Sequence, residues 1–332
     1  MNRFPKRPAN ALITFSCACL TLTLLLLSGC TTPEPEVHEP KHILFIAGAP
    51  SHGFGNHEHL GGSKILAETL EEANIGITTD VVSGWPEDST LFDRADAVIF
   101  FSDGLGRHPV TGNLDAFQRV MERGVGMVTI HFATDVSRGE PGDRFLEWQG
   151  GFFDSHWSVN PFWTASFESY PDHPISNGVS PMTVMDEWYF HMRFTEDRDG
   201  LTPILSDLPP PESLSRPDGS HTNNPNAREA VLEREEPQHV AWAYERPNGG
   251  RGFGFTGGHI HWNWGIDDYR RLVANAIAWT AGAEIPPNGL NVHPVTVPEL
   301  AELTDDSPPP NWNPREMQDI IDQANGRRTE LE

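Results

Sequence analysis

The chain has 332 residues, of which 37% are hydrophobic and 21% charged, and its formal net charge at pH 7 is −24. This length and composition predict one large globular domain, and the acidic balance argues against binding to nucleic acid or anionic lipid headgroups. All cysteines, Cys17, Cys19 and Cys30, lie at or before residue 30. The rest of the chain therefore has no thiol for a disulfide, a zinc–thiolate site or a nucleophile.

The N-terminal segment has the pattern of a targeting signal. A basic start is followed by an apolar run at residues 11–27, which ends in the sequence Leu-Ser-Gly-Cys. The pattern resembles a bacterial lipoprotein signal, with an uncleaved membrane anchor as the alternative. The resemblance implies a signal peptide at 1–29, a lipid on Cys30 and a location in the cell envelope, at the periplasmic face or the outer membrane. We expect a tether at 30–41 and contact with the membrane only through that lipid.

Alternating strand and helix patterns open the domain, which we expect to span residues 42–282. Apolar runs indicate strands, and apolar residues at a spacing of about 3.6 indicate helices. In chain order the predicted elements are a strand at 42–47, a helix at 60–73, strands at 77–82 and 95–101, a helix at 112–123 and a strand at 127–131. This succession predicts an α/β fold with a doubly wound, mainly parallel, flavodoxin-like sheet.

The second half of the chain is less regular. From residue 143 onward it becomes rich in Trp and Phe, which predicts an aromatic-rich insertion of short strands. Later elements are expected as strands at 187–192, 202–206, 240–244 and 252–256 and as a helix at 267–280. The polar segment 208–236 is predicted to be a loop, and loops of this length are often functional. Residues 283–332 form a proline-rich tail, with a helix at 314–325, that either wraps the domain or extends into solvent.

Histidines follow three of the predicted strands, at His52, His57 and His59, at His131, and at His259 and His261. Because ligands of parallel sheets bind beyond the carboxyl ends of the strands, we expect these residues to converge. Each His-x-His pair would place two imidazoles on one face of an extended backbone. We therefore predict a divalent metal such as zinc, held by His131, His259 and His57. The alternative is that these imidazoles only cap loops.

The glycines after the first strand do not complete a dinucleotide-binding motif. Gly53 and Gly55 begin a Gly-x-Gly pattern, but the third glycine of that motif would be Glu58, whose charge opposes a pyrophosphate. We therefore expect no NAD.

Acidic and aromatic side chains alternate around residue 187. Glu187 and Tyr189 would share one face of the strand predicted there, and a carboxylate beside aromatic rings suits sugar recognition. A core aromatic with a solvent-facing acid is the alternative. The residues that we expect to contact a small-molecule carbohydrate are His52, Tyr189, His191, Arg193 and Trp262.

An ordered set of motifs resembles the trehalose-utilisation (ThuA-like) family. The motifs are Ile-Ala-Gly-x-x-Ser-His-Gly from Ile46, Gly-Val-Gly-Met-Val-Thr-Ile-His-Phe-Ala from Gly124, His173-Pro-Ile, Asp186-Glu-Trp-Tyr and Gly257-Gly-His. The resemblance implies a fold similar to class I glutamine amidotransferases, in which a strand-to-helix elbow normally presents a nucleophilic Cys. His131 stands at that elbow, so a Cys-dependent glutaminase is excluded.

The resemblance also implies a function. Relatives are linked to the use of trehalose and similar disaccharides, which points to a lipid-anchored enzyme of carbohydrate catabolism acting on a glycoside or a keto-sugar. Without thiols, the chemistry left is metal-assisted proton abstraction next to a sugar carbonyl, or hydrolysis, with His131, Glu187 and His57 as catalytic residues. Such an enzyme would be a lyase, an isomerase or a hydrolase. The alternatives are a non-catalytic sugar-binding lipoprotein and an interaction protein whose acidic surface and tail dock partners.

Overall fold

The computed structural model describes residues 40–326, so the predicted signal peptide and nearly all of the predicted tether lie outside the described residues. The strands are β1 Lys41–Ala47, β2 Ile77–Ser83, β3 Ala97–Phe101, β4 Gly126–Ile130, β5 Gly151–Phe152, β6 Trp163–Phe167, β7 Met182–Asp186, β8 Arg193–Phe194, β9 Leu201–Asp207, β10 Gln238–Glu245 and β11 Arg251–Phe255. The helices are α1 His59–Glu72, α2 Thr90–Arg94, α3 Leu114–Glu122, α4 Glu140–Gln149, α5 Pro225–Arg228, α6 Asp267–Thr280, α7 Val297–Ala301 and α8 Pro314–Ala324. Within 40–326, none of the helices combines the length and the apolar character that a membrane span requires.

A seven-stranded sheet in the order β2-β1-β3-β4-β11-β10-β9 forms the centre of the fold. The first five strands pair in parallel, and β10 is antiparallel to both of its neighbours. The order in which β1 lies between β2 and β3 is that of flavodoxin-like sheets. The predicted doubly wound, mainly parallel α/β architecture is confirmed.

Both faces of the sheet are buried, which explains why its strands read as continuous apolar runs. In β1, Ile43 and Phe45 pack into one core with residues of α1 and α6. Leu44 and Ile46 point the other way, into a second core formed with residues of α2, α3 and α4. This alternation follows from the two-residue period of a strand.

Two predicted elements after residue 140 are wrong. The stretch expected to hold only short strands begins with the helix α4, whose Phe145 and Trp148 are fully buried. The strand expected at 187–192 is not formed, because β7 ends at Asp186 and β8 is only Arg193–Phe194. The side chains of residues 186–190 are all buried. The segment therefore does not have a buried face that alternates with an exposed one.

Short pairs of strands make up the aromatic insertion that the sequence predicted. β6 pairs with β7, and β5 pairs with β8, both antiparallel. The segment predicted as a loop at 208–236 lacks strands but contains the short helix α5 and a turn of π-helix at Glu229–Glu233.

The C-terminal segment packs on the domain up to residue 326. Leu290, Leu300 and Ile321 are buried in the same core as α6. The carbonyl of Leu300 accepts a hydrogen bond from Nε2 of His261 at 3.0 Å. The described part of the predicted tail therefore lies against the domain and does not extend into solvent.

Truncating Leu300 should measure how much this packing contributes. Leu300→Ala is expected to lower the free energy of unfolding by about 2–5 kcal/mol, because it leaves a cavity in a core with no solvent access. Leu232→Ala is the control, since that leucine is 44% exposed and its loss should cost no more than about 0.5 kcal/mol. Urea unfolding measures both values, and equal effects would contradict a structural role for the C-terminal segment.

Candidate functional site

Neighbouring strand ends carry the polar residues of the candidate site. The loop after β1 carries His57, β3 is followed by Asp103, His131 directly follows β4, and β11 is followed by His259. These strands are adjacent in the order β1-β3-β4-β11, so their carboxyl ends meet at one edge of the sheet. This is the crevice where ligands of open α/β sheets bind.

Nitrogen atoms of the three predicted metal ligands face one another. Nε2 of His57 lies 3.1 Å from Nε2 of His131 and 3.0 Å from Nδ1 of His259. Nε2 of His131 lies 3.2 Å from Nδ1 of His259. Oε2 of Glu187 joins them, at 3.0 Å from His259 Nδ1 and 3.4 Å from His131 Nε2. We call His57, His131, Glu187 and His259 the four-donor cluster; one donor atom from each residue lies within 4.8 Å of all the others.

Hydrogen bonds on the far side of two rings determine which nitrogen carries the proton. Nδ1 of His131 donates to the carbonyl oxygen of Thr256 at 2.8 Å, since a carbonyl can only accept. Nδ1 of His57 donates in the same way to Oδ1 of Asp103 at 3.2 Å. Both Nε2 atoms therefore direct lone pairs into the cluster, where a cation, the hydroxyl of Tyr189 or Nδ1–H of His259 can satisfy them. Histidines that bind a metal usually have their second ring nitrogen hydrogen-bonded to a carbonyl or a carboxylate.

The charge states favour ligation as well. Burial raises the pKa of Glu187, but its close contacts with His131 and His259 outweigh burial and hold that pKa well below its usual value. Burial lowers the pKa of His57 to about 2. Neutral imidazoles beside an ionised carboxylate are the forms that bind a divalent ion.

The cluster is open on one side only. His57 and His131 are 2% and 0% exposed, whereas the side chains of His259 and Glu187 keep 10% and 11% exposure. Next to His259 lies the ring of Phe162, with the centroids 4.8 Å apart, and Phe162 is 50% exposed. The exposed ring of His52 lies over His57 at a centroid distance of 3.7 Å. A ligand would therefore approach past Phe162 and His52.

The backbone at two of the histidines is strained. His131 has φ 58° and His57 has φ 51°, values in the left-handed region that side chains other than glycine rarely adopt. Each such residue costs of the order of 1–3 kcal/mol and persists only where the surroundings over-determine it. The fold therefore holds both histidines in the cluster against this cost.

Buried Asp186 fixes the loop that carries His259. Its carboxylate accepts from the backbone N–H groups of Gly258 at 2.8 Å, His259 at 3.2 Å and Ile260 at 3.3 Å, and from the hydroxyl of Tyr269 at 2.7 Å. These bonds hold the imidazole of His259 against the other donors.

A family model described as "ThuA: Trehalose utilisation" matches residues 43–280. The chain belongs to the ThuA family. The resemblance drawn from the sequence motifs is thereby confirmed, and membership connects this ThuA-family protein with trehalose utilisation and carbohydrate metabolism.

Comparison with solved structures found two ThuA-like proteins, the first of which shares the fold. One from Bacteroides uniformis is similar with a TM-score of 0.50 at 16% sequence identity, and the match covers 76% of this chain and 95% of that chain. Another, from Parabacteroides merdae, has a TM-score of 0.49 at 14% identity, with 77% and 98% covered. No curated protein matches the chain.

The structure brings some of the predicted substrate-binding residues of this ThuA-family protein to the cluster. The hydroxyl of Tyr189 lies 3.1 Å from Nε2 of His131, and His52 stacks on His57. Three others lie elsewhere. His191 donates through Nδ1 to the carbonyl of Trp157 at 2.8 Å, and Arg193 pairs with Asp154 at 2.8 Å.

Trp262 is the third residue that the structure separates from the cluster. Its ring stacks on Trp312 of the C-terminal segment, with the centroids 5.4 Å apart, and it contacts Phe54 at the same distance. Trp262 therefore stabilises the attachment of that segment.

The second histidine of each His-x-His pair is not a donor of the four-donor cluster. Nδ1 of His59 bonds to the carbonyl of Ala49 at 3.1 Å, and His261 bonds to Leu300. The expectation of two imidazoles on one face is wrong, because His59 begins α1 and His261 begins a 3₁₀-helix. Side chains at positions i and i+2 lie on the same face only where the backbone is extended.

Asp103 is a site residue that the sequence analysis missed. The same rule that selected the histidines would have found it, because it lies two residues beyond the buried strand β3. It accepts from Ser51 at 2.7 Å and from His57, and these bonds outweigh the effect of burial and hold its pKa below the usual value.

Changing Asp103 tests whether the carboxylate orients His57. Asp103→Asn is expected to weaken binding of Zn²⁺ by roughly 10–100-fold, because the amide no longer reliably accepts from His57 Nδ1 and the ring loses its fixed tautomer. Calorimetric titration of the metal-free protein measures this change. An unchanged affinity would show that the carboxylate does not orient the ring.

Proposed function

We propose that this protein is a metal-dependent enzyme of carbohydrate catabolism that acts on a glycoside or a keto-sugar, as a lyase, an isomerase or a hydrolase. The observation that carries the proposal is the convergence of two imidazole lone pairs 3.1 Å apart inside the four-donor cluster. Zinc accepts imidazole nitrogen and carboxylate oxygen, and catalytic zinc sites typically use three protein ligands and leave a position for water or substrate. His57, His131 and His259 are the proposed nitrogen ligands, with Glu187 as the oxygen donor.

A divalent ion bound here would act as a Lewis acid for negative charge that develops on a sugar oxygen. His131 and Glu187 would hold it against the sheet edge. His259, the imidazole with the greatest exposure in the cluster, would border the position that substrate takes. Tyr189, through its hydroxyl beside His131, is a donor for the same substrate oxygen.

Sugar binding would use the rim of the cluster. Phe162 offers an exposed aromatic face, which suits the apolar face of a pyranose. His52 offers an exposed imidazole beside His259, with the ring centroids 5.8 Å apart. These two replace His191, Arg193 and Trp262 as the proposed carbohydrate contacts.

We keep the lipid anchor as part of the proposal. The signal-like sequence before Cys30 supports a lipoprotein of the cell envelope, attached to the membrane only through that lipid. The competing function is a sugar-binding lipoprotein without catalysis, in which the histidines only hold loops together.

The deciding experiment combines metal analysis with turnover. The protein is stripped of metal, reconstituted with Zn²⁺, Mn²⁺ or Co²⁺, and incubated with trehalose and with trehalose oxidised to a ketone at C3 of one ring. We expect one ion per chain and metal-dependent release of glucose, followed by NMR. Sugar binding without metal and without product would support the non-catalytic alternative instead.

A further inference from the structure

The loop at 208–236 forms a second wall beside the four-donor cluster. Its Ser220 and His221 carbonyls accept from the backbone N–H groups of His156 at 2.7 Å and Asn160 at 2.8 Å, and Arg216 donates to the side chain of Asn160 at 3.0 Å. These bonds tie the loop to the aromatic insertion.

His221 in this loop makes a close pair with a buried carboxylate. Its Nε2 lies 2.8 Å from Oδ2 of Asp135, and its Nδ1 lies 2.8 Å from the hydroxyl of Ser220. Asp135 is 0% exposed, and in the described part of the chain its Oδ1 has no hydrogen-bond partner. Burying a carboxylate with one oxygen unsatisfied is costly. The side chain of His221 keeps 26% exposure, so a small molecule can reach its Nδ1 edge.

Aromatic rings separate His221 from the cluster: Phe132 on one path, and Phe153 followed by Tyr189 on the other. Phe153 stacks on His221 with the centroids 5.2 Å apart and also contacts Tyr189 at 5.2 Å, and Tyr189 touches His131. Phe132 lies between His57 and His221, at centroid distances of 6.0 Å and 6.5 Å. Asp135 itself directly follows the 3₁₀-helix His131–Thr134. The ring of Phe132 therefore contacts both His221 and the four-donor cluster.

We propose that His221, oriented by Asp135, is the acid–base residue that moves the substrate proton at this site. The inference rests on the proposed function, and it names the residue that moves the proton in the proposed reaction. Glu187 and His57 were the bases expected from the sequence, but in the four-donor cluster their reactive atoms face the other donors. In this imidazole outside the cluster, Nε2–H is held by the carboxylate of Asp135, so the lone pair of Nδ1, beside the hydroxyl of Ser220, is the one that takes a proton. Asp135 is a positioning residue in this arrangement.

The step balances without a further reactant. Nδ1 of His221 takes the proton from the carbon next to the sugar carbonyl, the electron pair of that C–H bond forms a C=C bond to the carbonyl carbon, and the π pair of the C=O bond moves to the oxygen, which gives an enolate. The imidazolium exchanges its proton with solvent, and return of a proton to the same carbon restores the ketone. In heavy water the net result is replacement of hydrogen by deuterium at that carbon.

The test uses methyl α-D-glucoside oxidised to the ketone at C3, because that ketone acidifies the C2–H bond beside the anomeric carbon. Exchange at C2 in heavy water is followed by NMR with the metal-reconstituted full chain. His221→Ala is expected to lower the exchange rate by roughly 10²–10⁴-fold. We expect unchanged metal stoichiometry and KM, and partial recovery when imidazole is added. His239→Ala is the matched control, since His239 is a histidine outside the site that bonds to Ser206.

Rescue by imidazole separates proton transfer from anchoring of the loop, because a lost anchor is not restored by a free base. Asp135→Asn should lower kcat less than His221→Ala does and leave KM unchanged. Full exchange in His221→Ala, or a rise in KM with no rescue, would overturn the role of His221 while the metal site stands. Absence of metal and of exchange in the unmodified protein would overturn the proposed function and this inference together.

Discussion

Replacing His131 with glycine is expected to abolish stoichiometric metal binding and, with it, turnover. His131 supplies an Nε2 atom that lies 3.1 Å from His57, 3.2 Å from His259 and 3.4 Å from Glu187, so its loss removes a donor that faces all three of the others. The loss of metal affinity should exceed the roughly 10–100-fold reduction that follows removal of a residue that only hydrogen-bonds to a metal ligand. Glycine is chosen because φ is 58° at this position, so the substitution also relieves backbone strain and keeps the elbow.

His261→Gln is the matched control for this prediction. His261 is as buried as His131 and follows the same strand as His259, but it bonds to the carbonyl of Leu300, which a glutamine amide can still reach. Metal content measured by plasma emission after dialysis should fall to background for His131→Gly and remain at one ion per chain for the control. Retention of the ion by His131→Gly would disprove the four-donor assignment.

Replacing Asp186 with asparagine is expected to lower both stability and metal affinity. The carboxylate accepts from three consecutive backbone N–H groups and from Tyr269, and all of these bonds except that of Ile260 are buried; an amide would present its own donor to some of them. Because each buried group left unsatisfied costs about 1–3 kcal/mol, the free energy of unfolding should fall by at least about 2 kcal/mol. Displacement of the loop would also move His259 out of the cluster.

Denaturant unfolding and calorimetric titration with Zn²⁺ on the same preparation measure the two effects. Asp115→Asn is the control, since it makes the same chemical change at an exposed position of α3. A loss of stability without any loss of metal affinity would mean that Asp186 supports the fold and does not position His259.

The fold could be predicted closely because the first half of the chain follows simple periodicities. β1, β3 and β4 are buried on both faces and read as uninterrupted apolar runs, and α6 was predicted at its observed bounds. The insertion was harder, because its segments take their conformation from tertiary contacts. Glu187 to Phe190 alternate like a strand, yet the chain there is held by side-chain bonds such as Trp163 Nε1 to the carbonyl of Trp188 at 3.0 Å.

The site was predictable in part for a topological reason. Residues beyond the ends of adjacent parallel strands must converge, which brought His57, His131 and His259 together although more than a hundred residues separate the first from the last. The roles of His221 and Asp135 could not be inferred from the sequence, because a long irregular segment brings His221 back to the sheet. Local spacing was misleading for His59 and His261, whose backbone is helical and not extended.

The central claim is that His57, His131, Glu187 and His259 together bind one divalent ion. A crystal structure of the zinc-reconstituted protein, with data collected at the zinc absorption edge, tests it most directly. We expect one anomalous peak, at about 2.0–2.2 Å from Nε2 of His57, Nε2 of His131, Nδ1 of His259 and Oε2 of Glu187. A peak bound through other residues, or no peak at this edge of the sheet, would contradict it.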